Sequence, residues 1–198
     1  METEAYLATL RKDIEFTAEL GGELLRFRTT WGLFSPREID EGTLLLADYL
    51  DIASADDCLD LGCGYGPIGM VMAKKAPKGR TLLVDKDFVA VEYANRNIAL
   101  NGIANAEALL SNGFDQLPAD AHFDVIASNI PAKVGKELLT LWLHEGRKRL
   151  RPGGRLYVVT INGLRQFMKR NLTEVFGNYK KLKQGRTYTV ALARREES

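Results

Sequence analysis

Apolar residues recur along this chain in two periods, and the two alternate. Leu7, Leu10, Ile14, Phe16 and Leu20 fall at roughly helical spacing, which predicts an amphipathic helix over residues 4–20, ended by Gly21 and Gly22. Residues 24–28 alternate in strand fashion. A loop-like segment with Trp31, Phe34 and the turn pair Ser35-Pro36 follows, and residues 43–50 read as a helix. From there short apolar runs predict strands at 58–61, 80–84, 106–110, 123–127 and 155–160. Helices are expected between and after them at 68–75, 88–100, 135–150 and 164–176. Asn101-Gly102 stops one helix, and Pro152-Gly153-Gly154 is expected as a turn. Residues 179–183 and 187–193 read as a closing hairpin. This order predicts an α/β fold: a doubly wound, mostly parallel seven-stranded sheet with a C-terminal antiparallel hairpin. Residues 1–30 are expected to form a helix-and-strand extension packed on a core of residues 31–198, one globular unit overall.

Composition changes this picture little. The chain has 198 residues, 45% hydrophobic and 27% charged, enough for one sizeable core. No apolar run approaches the ~20 residues of a membrane span, and no basic-then-apolar leader opens the chain. A cytoplasmic protein without membrane contact is therefore expected. Cys58 and Cys63 have neither a nearby histidine nor a second cysteine pair, so reduced thiols and no metal site are expected. Charge is more informative. Residues 1–130 carry 11 Lys+Arg against 21 Asp+Glu, whereas residues 131–198 carry 16 against 5. A basic C-terminal third suits a polyanion, and it equally suits a set of solvated faces.

The densest glycine cluster lies at Gly62, Gly64, Gly66 and Gly69, between an apolar strand and an apolar helix. Such a turn lets a ligand approach the backbone closely, with helix N–H groups pointing at it. Gly64, Gly66 and Gly69 match the dinucleotide pattern G-x-G-x-x-G, a weak signal alone. Asp60 to Gly66 also reads D-x-G-x-G-x-G. A carboxylate two residues before the first glycine suits a cationic ligand better than a pyrophosphate. Asp85, 23 positions after Gly62, ends the second of the core strands, close to the ~20-residue spacing for an acid that holds ribose hydroxyls. Beside it, Lys86 and Asp87 read as surface charges, Lys86 being kept among the cofactor candidates.

The stretch from Asp60 resembles the first motif of class I S-adenosylmethionine (SAM) methyltransferases, whose glycines admit the amino-acid end of SAM beside an acidic residue. That resemblance implies a SAM site at Asp60, Gly62, Cys63, Gly64 and Gly66, with Asp85 on the ribose. It places adenine contacts at Asn112 and Gly113, with Phe114 lining the adenine face. The fourth core strand runs into Ser128-Asn129-Ile130-Pro131-Ala132, which resembles the N-P-P-aromatic motif of amino-methyltransferases. A ring-conjugated amine is a poor nucleophile, so accepting both of its N–H bonds holds it in line with the methyl group. In this reading Asn129, also kept among the cofactor candidates, and the Ile130 carbonyl are the acceptors, and Pro131 stiffens the loop. Ala132 departs from the motif, because the stacking aromatic is missing.

Trp31 to Pro36, then Asp40, Gly42, Leu45 and Leu46, resemble the lead-in of the small "MTS" methyltransferase domain, the catalytic half of ribosomal small-subunit guanine 2-amino methyltransferases. Residues 129–136 resemble the N-P-P-I-R-x-G-K variant of single-domain relatives, with Lys133 in place of Arg and Gly135 and Lys136 matching. The resemblance implies methyl transfer to an exocyclic amine, most simply the 2-amino group of a guanine in small-subunit rRNA. Partners would be that RNA or the subunit, with no metal, and the protein a monomer or homodimer. Trp31, Phe34, Ser35, Lys133 and Lys136 are the substrate-contact candidates, the two aromatics standing in for the missing ring. A protein or small-molecule amine, and a non-catalytic SAM- or RNA-binding role, are the alternatives. An NAD-dependent oxidoreductase has no use for Asn129 and Pro131.

Overall fold

A short helix, α1 (Glu2–Leu10), precedes two strands, β1 (Ile14–Leu20) and β2 (Glu23–Thr29), which pair antiparallel as a separate hairpin. The computed structural model describes residues 2–131 and 133–196. The expected helix over 4–20 is thus half right: it stops at Leu10. Residues 14–20 alternate between inward and outward positions, and Phe16 stacks on Phe27 across the hairpin at 5.2 Å. Gly21 and Gly22, with φ of +58° and +84°, are the hairpin turn rather than a helix stop.

The chain continues through α2 (Glu41–Asp48), β3 (Cys58–Leu61), α3 (Pro67–Lys75), β4 (Thr81–Asp85), α4 (Phe88–Leu100), β5 (Ala106–Leu110) and β6 (Phe123–Asn129). Then come α5 (Lys136–Arg149), β7 (Leu150–Ile161), α6 (Arg165–Phe176), β8 (Lys180–Gln184) and β9 (Tyr188–Arg194). Strands β3 to β9 form one sheet in the order β5-β4-β3-β6-β7-β9-β8. Only β9 runs antiparallel to its neighbours, β7 and β8. The expected fold class holds. One boundary does not: Pro152-Gly153-Gly154 lies inside β7. The register shifts between the Phe123 and Val125 pairings, and Gly153 N–H and Gly154 C=O bond to the backbone of Arg195, so the stretch is a bulge tied to the chain's end.

Successive strand residues face opposite sides, and the core divides accordingly. Cys58, Leu83, Val125 and Ala127 pack with α2, α3 and α4, whereas Leu59, Leu82, Ile126 and Val158 pack with α5 and α6. Gly69 allows α3 to lie directly on β4, because a Cβ there would overlap the Leu83 side chain. Tyr93 and Phe176 are core residues, whereas Phe88, in the first turn of α4, is exposed.

Asn97 in α4 and Asn101, the C-cap of α4, dock the hairpin on that helix. Asn101 exchanges both hydrogen bonds with the backbone of Arg26 (2.9 and 2.7 Å), and Asn97 does the same with Arg28 (2.7 and 3.0 Å). Four helical residues rise roughly 6 Å and two strand residues roughly 6.6 Å, so the spacings match. The free edge of β2 is thereby satisfied. Asn97 also donates to the Tyr65 carbonyl at 3.0 Å, which ties the hairpin to the glycine turn.

Candidate active site

Strand order reverses between β3 and β6, so the loops leaving their C-terminal ends part and open a crevice. A cavity of about 470 Å³ lies there. Its floor is the turn after β3, where Gly62, Gly64 and Gly66 have φ of +76°, +54° and +97°. A Cβ at Gly62 or Gly64 would meet no protein atom within 4 Å, and both glycines line the cavity, so a ligand has room to lie on the backbone.

Asp60 is 2% exposed and accepts the Gly69 N–H at 2.7 Å, capping α3 from the neighbouring strand. Burial pushes its carboxyl up to about 7; the Gly69 bond opposes this and the charge of Asp85 adds to it. Asp85 accepts from Gly64 N–H (2.9 Å) and Asp87 N–H (3.0 Å), holding the turn against the end of β4. The Cys63 thiol, buried beside both carboxylates, is pushed well above its ordinary range and donates to the Gly64 carbonyl; it is a neutral lining group.

Across the crevice Asn129 ends β6. Its amide nitrogen donates to both oxygens of Asp40 at 3.2 Å and to Thr43 Oγ1 at 2.9 Å. The Asn129 carbonyl oxygen has no partner among the described residues. The next residue, Ile130, buries its side chain in the α5–α6 side of the core and donates its N–H to Val159; its carbonyl accepts nothing from the described residues. Two adjacent residues, each with an acceptor that has no partner among the described residues, therefore line one wall of the cavity. Such a pair receives two N–H donors from one nitrogen.

The loop between β2 and α2 forms the rim. Tyr65, from the glycine turn, donates to the Ser35 and Glu38 carbonyls at 3.1 and 3.3 Å and so clamps that loop to the floor. Phe34, 68% exposed, reaches the cavity; Trp31 lies outside it under the Arg37 guanidinium, 4.6 Å from the ring centroid.

Of the residues expected from sequence, Asp60, Gly62, Cys63, Gly64, Asp85, Asn129, Ile130, Pro131, Phe34 and Lys133 come together around the cavity. Gly66 lies just behind, packed on Leu83 and Ala94. Lys86, Ser35 and Lys136 do not line it. Asn112 donates to Asp115 at 3.2 Å away from the cavity, Gly113 packs under Trp142, and Phe114 belongs to the core. Ala132 lies outside the described residues. Sequence reading missed Asp40 and Thr43 as partners of Asn129, and Tyr65, Pro67, Ile68, Ile161 and Tyr188 as lining groups. Asp40 carried a signal, an N-cap residue opening a helix; it accepts from Gly42 and Thr43 N–H at 2.9 and 3.3 Å.

Residues 24–192 match the methyltransferase small domain. The chain is 34% identical over 135 residues to the uncharacterized protein YbxB of Bacillus subtilis, covering 67% of each. It is 34% identical over 152 residues to the ribosomal RNA large subunit methyltransferase G of Streptomyces avermitilis, covering 74% of this chain and 39% of that one. Among solved structures, the T. thermophilus 16S rRNA N2 methyltransferase in complex with AdoMet and guanosine superposes with a TM-score of 0.84 at 28% identity. That alignment covers 93% of this chain and 51% of the other, so the chain spans about half or less of the two longer relatives.

Proposed function

The chain belongs to the methyltransferase small-domain family, and from that premise we propose that it moves the methyl group of SAM to an exocyclic amine of ribosomal RNA. The target we assign is the 2-amino group of a guanine in the small-subunit RNA. One observation carries this reading: Asn129 and Ile130, whose acceptors have no partner among the described residues, line the same cavity as the glycine turn, Asp60 and Asp85. SAM fits that turn, because Gly62 and Gly64 leave open space over the backbone and a buried carboxylate awaits an ammonium group. When bound it supplies an electrophilic methyl carbon, whose bond to sulfur breaks as the bond to nitrogen forms. Asp60 faces the ammonium end and Asp85 the ribose. Asn129 and the Ile130 carbonyl take the two N–H bonds of the amine and aim its lone pair at that carbon. No strong base is required before transfer, since the nitrogen becomes acidic only once it is cationic. Pro131 holds the loop, and Phe34 at the mouth offers a face to the base.

The proposed cofactor should bind with a proton cost of defined sign. The Asp60 carboxyl sits at about 7, above the ordinary 3.8, so between those values the folded protein holds more protons than the unfolded chain. Through this group alone the free protein loses stability as pH rises from about 4 to 7. A bound ammonium favours the carboxylate, so SAM affinity should rise with pH up to about 7 by at most about tenfold per unit, then level off. Calorimetry at pH 6 in two buffers of different ionisation enthalpy should show proton release. Proton uptake, or an affinity flat from pH 5.5 to 7.5, removes Asp60 from the ammonium site.

The substrate is tested by methyl transfer to isolated small subunits, large subunits and naked rRNA, followed by nucleoside mass spectrometry. N2-methylguanosine in small-subunit RNA is expected. The same product only in large-subunit RNA moves the target, and no methylated amine in any RNA overturns the reading. RNA affinity should fall with salt, each phosphate contact contributing about −0.7 to −0.9 to the log–log slope. Lys133, exposed and lining the cavity, and Lys136, exposed at the start of α5, are the cations of the basic C-terminal third proposed to meet the RNA. A flat salt dependence argues for a substrate other than RNA.

A further inference from the structure

Asn129 is useful to an amine only if its carboxamide is turned the right way. The two faces of that group are opposite in character: the oxygen accepts, the nitrogen donates. If turned over, it would present N–H bonds to an amine that needs acceptors. Nothing in β6 itself decides between the two orientations. The decision comes from α2, 89 residues away in sequence, where Asp40 and Thr43 receive the amide nitrogen. A carboxylate can only accept, so the reverse orientation would set the Asn129 oxygen against two carboxylate oxygens at 3.2 Å. Asp40 is in turn fixed by Gly42 and Thr43 N–H at the head of α2.

We propose that Asp40 is a positioning residue for the transfer: assisted by Thr43, it locks the Asn129 carboxamide with its carbonyl oxygen towards the acceptor amine. This rests on the reading of Asn129 as amine acceptor given above. Asp40 touches neither the amine nor the methyl group and acts through Asn129. Its charge also polarises the amide, making the free oxygen a stronger acceptor. The helix cap and the catalytic lock are thus the same side chain, so a variant must keep the first while removing the second.

Asp40→Asn does this. Asparagine is as good an N-cap as aspartate, but its own NH2 group opposes the Asn129 nitrogen and favours the turned-over amide. Single-turnover methylation at saturating SAM should fall about a hundredfold, the cost of misorienting a reacting group. SAM affinity should stay within about threefold, well under the tenfold that marks a lost ligand contact. Adding Asn129→Asp to Asp40→Asn restores a donor–acceptor match: the amide at position 40 donates to one carboxylate oxygen at 129, and the other oxygen faces the amine. The double variant should be at least about tenfold faster than Asp40→Asn alone, a coupling that independent sites do not show. A wild-type rate in Asp40→Asn, no recovery in the double variant, or a loss of SAM affinity at unchanged saturating rate each overturns the proposal.

A readout that needs no substrate separates this idea from the assignment of function. In protein labelled with ¹⁵N-asparagine, the Asn129 side-chain amide protons should exchange slowly with water. In Asp40→Ser, which keeps the cap with a shorter side chain, their exchange should quicken by about tenfold or more while the melting temperature holds. Unchanged exchange overturns the lock. Protection lost on mutation, in a protein that methylates no RNA amine, leaves the lock standing and removes the proposed reaction.

Discussion

Asn129→Ala is expected to slow methyl transfer at saturating SAM by about a hundredfold or more, with SAM affinity nearly unchanged. The SAM contacts proposed above come from the turn after β3 and the end of β4, whose hydrogen bonds do not involve the Asn129 side chain. Alanine leaves Asp40 on its helix cap and shortens nothing in β6, whose pairing with β7 is made by backbone. What would be lost is one of the two acceptors proposed to align the amine, and with it part of the ~7–11 kcal/mol that orientation can supply. Asn129→Asp should rescue little on its own. A carboxylate accepts well, but at this position it meets the Asp40 oxygens at 3.2 Å. Two carboxylates that close repel by several kcal/mol, so one takes up a proton or both move. Ile130→Ala should be milder in turnover, since only its carbonyl enters the site, although its side chain is buried and the fold loses packing. The measurement is a single-turnover rate with a methylation-competent RNA. A wild-type rate in Asn129→Ala removes this loop from catalysis.

Asn97→Ala should be strongly destabilising although the residue lies outside the cavity. The residue is fully buried and serves Arg28 N–H, Arg28 C=O and the Tyr65 carbonyl at once. Alanine removes all three bonds and strands their partners in the interior, at about 1–3 kcal/mol for each buried group left unsatisfied. A total loss of about 3 kcal/mol is expected, or roughly 6–12 °C in Tm for a chain of this size. Urea denaturation with unchanged m checks it. Asn101→Ala, nearer the surface, should cost about 1 kcal/mol. If Asn97→Ala unfolds at the wild-type midpoint, the asparagine pair does not hold the hairpin. The loss should also reach function, because Tyr65 clamps the rim loop through Ser35 and Glu38.

The hairpin shows where pattern reading ends. Residues 4–20 contain apolar positions that fit a helix loosely and, from Ile14, a strand well. Strand pairing with residues 23–29 and burial of Phe27 against Tyr65 settle the matter, and both are contacts across the chain. Phe114 illustrates the same limit at the site. An aromatic after β5 looks available to an adenine ring, yet it faces the α5–α6 side of the core.

What the amino-acid order determined by itself was local: the alternation of strands and helices, the glycine turn, and acids at the ends of β3 and β4. Those follow from periods of 2 and 3.6 residues and from glycine's freedom at positive φ, which neighbours in sequence suffice to express. The ends of parallel strands converge on one edge of the sheet, so Asp60, Asp85 and Asn129 were legible as a group before any contact was known. Tertiary structure alone decided which way the Asn129 carboxamide points. That choice is made by Asp40 and Thr43, 89 and 86 residues away, because an amide's two faces differ only in what they can bond to.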